Sequence, residues 1–136
     1  GRHGERGVDV LATFVTDPRP QVRSAALRAL RKHASRERVL EAATQALRME
    51  TRKDVICSLM RTLGHRRYEP AFPLLLKNMQ HKQRKIQQTA RHLLLAWGDE
   101  IVPMVRHEMR RARPDVRRFY ESFLDELSVD EADQQP

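Results

Sequence analysis

An apolar helical face that returns about every thirty residues is the feature that most constrains this chain. Val22, Val55, Ile86 and Val116 occupy one column of the recurrence, at intervals of 33, 31 and 30 residues. Four positions later stand Ala26, Leu59, Ala90 and Tyr120, and eight positions later Leu30, Leu63, Leu94 and Leu124. Spacings of four and eight put these side chains on one face of a helix. A single helix of this kind cannot bury its stripe. Stacked on neighbouring copies it can, and a continuous core then forms. The recurrence therefore predicts an all-α chain of about four antiparallel helix pairs.

Turn signals divide the chain accordingly. Residues 7–15 give an apolar face through Val8, Leu11, Phe14 and Val15, closed by Thr16-Asp17-Pro18, and a second helix is expected over 20–34. Ser35 is a good N-cap for the helix carrying Val39, Leu40, Ala43 and Leu47. Its partner runs over 53–63 with Gly64 as the stop. The third pair opens at Glu69-Pro70 with Phe72, Leu75, Leu76 and Met79; its second helix, over 83–97, reads as the longest and ends at Gly98. Asp99 is the expected cap of the helix carrying Ile101, Val102, Val105 and Met109. Arg113-Pro114-Asp115 then opens the last helix, over 116–127.

Small residues after the Val22 column (Ala25 and Ala26, Ser58, Thr89 and Ala90) are expected to let helices approach closely, while Phe119, Tyr120 and Phe123 mark the last pair as a cap or docking edge. The repeat domain is thus expected over 7–127. Residues 1–6 read as a boundary or disordered segment, and 128–136 (SVDEADQQP) as an acidic disordered tail.

Charge is unevenly spread. The net charge is +8, yet all 26 basic side chains lie at or before Tyr120, and six of the 18 acids follow it. No run of apolar residues is long enough for a membrane helix. The lone Cys57 cannot form an internal disulfide, which suits a reducing compartment and a cytoplasmic chain.

At this level the residues resemble a family. DPRPQVRSAALRAL, Asp17 to Leu30, resembles the second helix of a HEAT-like repeat, whose pattern is roughly D-P-x-x-x-V-R-x-x-A-x-x-A-L. AFPLL (Ala71 to Leu75) and IVPMV (Ile101 to Val105) resemble that family's first helix. Pro73 and Pro103 both lie thirteen residues before the Val22 column, where a first-turn proline costs little. The likeness covers about residues 8–127, is specific in the first repeat, and loosens where Arg23 gives way to Ile56 and Gln87. It implies a short right-handed superhelical solenoid of the compact bacterial type, with second helices on the concave side. Tetratricopeptide and ankyrin repeats have similar periods, but W-x-x-L-G and T-P-L-H are absent.

Catalytic and metal chemistry find little support in the sequence. No two of the six histidines stand four apart, and there is no CxxC, GxSxG or glycine-rich phosphate loop. Exposed or helix-packed histidines are the expectation, and Cys57 reads as a small packing residue. Trp97 reads as a core wedge, because one aromatic without others interleaved makes a poor base-stacking site. No cofactor is expected.

Basic residues carry the functional signal. Arg19 and Arg23, Arg52 and Lys53, then Lys82, Arg84 and Lys85 cluster where each second helix starts, and Arg110, Arg111, Arg113, Arg117 and Arg118 complete the set. Cations there oppose the helix dipole by about 0.3–1 kcal/mol each, so their recurrence suggests an anionic partner. Arg28, Arg61 and Arg91 form a second row. The expected function is a non-catalytic binding scaffold that recognises an acidic protein segment on a basic concave face. The candidate contacts are Arg19, Arg23, Arg28, Arg52, Lys53, Arg61, Arg84, Lys85, Arg91, Arg113 and Arg117. The alternative is nucleic-acid binding through backbone phosphates; a HEAT-like lyase or glycosylase ranks below both.

Overall fold

The computed structural model describes the backbone of residues 2–134 and the side chains of residues 5–128. Among the described residues every regular element is helical: α1 (Arg2–Thr13), α2 (Pro20–His33), α3 (Arg36–Met49), α4 (Lys53–His65), α5 (Phe72–Asn78), α6 (Arg84–Trp97), α7 (Val102–Met109) and α8 (Pro114–Gln134). Three 3-10 turns, Phe14–Thr16, Glu69–Ala71 and Asp99–Ile101, join them. Sequential helices pack on one another, α1 on α2, α2 on α3, α3 on α4, α5 on α6 and α7 on α8; α4 also packs extensively on α6, and α5 on α7.

Local chemistry explains most boundaries. Ser35 Oγ accepts from the Arg38 amide and caps α3 as expected. Pro73 and Pro103 sit in the first turns of α5 and α7, each after a 3-10 turn. Other expectations need correction. Asp99 makes no side-chain cap and begins a 3-10 turn instead. Gly64 is not a stop: it is buried inside α4, where a Cβ would meet three Leu93 atoms at 3.1–3.2 Å, so it marks the close approach of α4 and α6. The small residues Ala25 and Ser58 face outward, and only Ala26 and Ala90 of that set are fully buried.

The longest helix is α8, not α6. Its backbone stays helical to Gln134, where a disordered tail from 128 was expected; no glycine or proline lies between 115 and 134 to break it. Helix α1 likewise begins at Arg2, inside the segment expected to be a boundary. Residues 1, 135 and 136 lie outside the described residues.

The turns out of α4 and α6 share a device. Arg67 has φ 50° and Gly98 has φ 90°, and both stand twelve positions after the Val22 column. Gly98, with ψ −159°, occupies a region that only glycine enters cheaply. Gly98→Ala is expected to lose about 1–3 kcal/mol. Arg67→Gly, which relieves left-handed strain at the equivalent place, should instead raise the thermal midpoint. Chemical denaturation of the two variants checks the pair, and shifts of the same sign would contradict the assignment.

One apolar core runs through the chain. Leu30, Leu63 and Leu94 are completely buried, and Leu124, in the same column, is partly buried. Phe72 and Trp97 meet edge to face at 5.7 Å, so Trp97 is a core wedge. Tyr120 and Phe123 are buried and close the core at the last pair. Cys57 is buried, its thiol 3.9 Å from the Lys85 carbonyl.

Polar ties between pairs follow the period of the sequence. Arg23–Glu50, Arg52–Ser24, Arg38–Asp9, Lys85–Asp54 and Arg67–Glu100 span 27, 28, 29, 31 and 33 residues. Arg38–Asp9 and Lys85–Asp54 join helices of successive pairs, Arg23 and Ser24 of α2 reach the α3–α4 turn, and Arg67–Glu100 joins the turns that follow α4 and α6.

Candidate functional site

The second helices α4 and α6 lie side by side because Gly64 leaves room for Leu93. Above this contact a groove of about 600 Å³ opens, lined by Arg61 and His65 of α4 and by Arg84, Lys85, Gln88, Thr89, His92 and Leu93 of α6. Helical periodicity explains the membership. Arg61 and His65 are four apart, as are Arg84, Gln88 and His92, so each set shares one face of its helix. Among the described residues no acidic side chain lines the groove. Asp54 accepts from Lys85 Nζ at 2.7 Å, and this hydrogen bond with the charge behind it holds the Asp54 carboxyl below its ordinary value. Thr89 Oγ1 donates to the Lys85 carbonyl at 2.7 Å. Arg61, Arg84 and both histidines make no ion pair among the described residues, which leaves their donors free.

The eleven candidate cations do not form one surface. Arg23 is buried, its guanidinium donating to the Asp17 and Pro18 carbonyls and to Glu50 Oε2. Its charge faces inward, so it is not part of the surface set. Arg52 grips the same carboxylate through Nε and NH2 and also reaches Ser24 Oγ and the Pro20 carbonyl. Burial pushes the Glu50 carboxyl up, but hydrogen bonds from the Arg52 guanidinium and from the Arg52 and Thr51 amides outweigh it and hold the group at about 2. Arg19 is forked on Asp17 with contacts of 3.0 and 3.1 Å. Arg117 donates to the Met109 and Ala112 carbonyls and staples α7 to α8.

Arg91 also leaves the proposed row. It lies 5.9 Å from the Phe123 ring and pairs with Glu126 of α8. The residue equivalent to Arg28 and Arg61, six positions after the column, is His92. The register of the repeat marks His92 for this row, whereas metal-ligand spacing, which treats each histidine alone, does not. Arg28, Lys53 and Arg113 are exposed and make no ion pair among the described residues.

Two other depressions are less coherent. One, between the start of α1 and the α2–α3 turn, mixes Glu5 and Asp9 with His33 and Arg38. The other, at the α7–α8 end, is lined by Arg106, Met109, Arg110 and the already engaged Arg117. Among the described residues no three His, Cys, Asp or Glu side chains come together as a metal site, and no helix is long and apolar enough to cross a membrane. Comparison with protein-family models, with curated proteins and with solved structures gives no match.

Proposed function

We propose that the chain is a non-catalytic binding scaffold, a HEAT-like solenoid, that holds an acidic protein segment in the groove between α4 and α6. The observation that carries this reading is the groove itself: five cationic or protonatable side chains from two helices and no lining carboxylate. The solenoid reading is supported by the inter-pair ties at repeat spacing and by the positive φ that recurs at Arg67 and Gly98. The groove lacks exposed aromatic side chains for base stacking, which favours a protein segment over single-stranded nucleic acid.

A fluorescent hexaglutamate peptide tests the proposal. Arg61→Glu/Arg84→Glu is expected to weaken its binding by about tenfold or more, equivalent to about 1.4 kcal/mol. The outward Arg19→Glu/Arg113→Glu pair changes net charge equally and should have a much smaller effect. Equal losses for the two double variants would reduce the groove to general charge attraction. Duplex DNA in the same titration addresses the alternative: tighter, steeply salt-dependent DNA binding that tolerates both double variants would overturn the groove reading.

A further inference from the structure

Two arginines, a lysine and two histidines supply more charge and more donors than one carboxylate can use, since a single arginine already satisfies a carboxylate through its two parallel N–H groups. Donors face the groove from both walls, Arg61 and His65 from one helix and Arg84 and His92 from the other. A phosphoryl group carries roughly two negative charges and three acceptor oxygens, so it can take donors from both sides at once. Resting on the scaffold reading above, we propose that the groove recognises a phosphorylated serine or threonine within the bound acidic segment. Lys85, already held by Asp54, stands at one end and contributes charge more than a direct contact.

The surroundings select a phosphopeptide over a phosphate polymer. Helix α8 is tied beside α6 by the Arg91–Glu126 pair, and it exposes Glu121, Asp125 and Glu126. An extended nucleic-acid backbone is held by cations spread along its length, and Arg19, Arg52, Arg91 and Arg117 are engaged by protein groups, whereas one phosphoryl group needs only the cations of this groove.

The test uses the intact chain and three peptides of one acidic sequence, carrying serine, glutamate or phosphoserine at the centre. The phosphoserine peptide is expected to bind at least about tenfold more tightly than the glutamate peptide, and Arg61→Gln/Arg84→Gln should erase that difference. Arg110→Gln, on the surface away from the groove, should preserve it. Both substituted arginines are exposed, so unchanged thermal midpoints are expected and verify folding. Equal affinity for phosphoserine and glutamate peptides would overturn the phosphoryl assignment while leaving the scaffold reading intact. If none of the peptides bound, both would fall. A short DNA duplex bound more tightly than the phosphopeptide would assign the groove to nucleic acid instead.

Discussion

Glu50→Ala is expected to destabilise the chain by about 3–5 kcal/mol, because it leaves the Arg23 guanidinium buried without its counter-charge. The two side chains are 5% and 2% exposed and lie 3.3 Å apart. Arg23 Nε already lacks a partner, and removing Glu50 leaves NH2 without its carboxylate acceptor as well, so only the two carbonyl contacts of NH1 remain. Loss of Glu50 also strips acceptors from the Thr51 and Arg52 amides at the entrance to α4. Arg23→Met in the Glu50→Ala background should recover part of the loss, since it removes the stranded cation. Urea denaturation of the three proteins checks this. A single Glu50→Ala variant as stable as the parent would show that the pair is not buried as described.

The same carboxylate predicts an acid limb in stability. Its pKa falls from 4.5 in the unfolded chain to about 2 in the folded one. A depressed folded value means that the stabilisation is complete above 4.5 and is lost as pH falls from there towards 2. The shift corresponds to about 3 kcal/mol at most. Asp17 and Asp54 are lowered as well and add to the trend in the same direction. Glu50→Gln should flatten this limb, which a series of thermal melts across the acid range would register.

Leu63→Ala is expected to cost about 2–5 kcal/mol through lost transfer energy and the cavity left behind. Leu30→Ala and Leu94→Ala should cost similar amounts, because all three side chains are fully buried. Leu124→Ala should cost clearly less, for Leu124 is only partly buried on the last helix. Four equal losses would mean that α8 is packed like an internal helix. A midpoint unchanged by Leu63→Ala would mean that the helix faces are misphased.

Periodicity alone carried the helical class and three of the four members of the core column. These are legible in sequence because a helix interior depends on spacing: Leu30, Leu63 and Leu94 recur in phase and are buried in phase. Caps that act within a few residues, such as Ser35, were legible for the same reason. Pro73 and Pro103 marked first turns because proline constrains its own backbone wherever it stands.

What only the tertiary structure decided is how each charge is spent. Arg23 and Arg61 are chemically identical in a sequence, yet one lies beneath Glu50 and the other opens onto a groove. The difference is set by residues 27 positions away in the first case and by a neighbouring helix in the second. Glycine often ends helices, but Gly64 lies in the last turn of α4, where a Cβ would crowd Leu93 at 3.1–3.2 Å, a contact that no local pattern encodes. His65 and His92 are 27 residues apart in the sequence and line one groove only once α4 and α6 pack together. Local spacing determines which face of a helix is apolar; the partner brought against the remaining faces determines which cations stay free to bind.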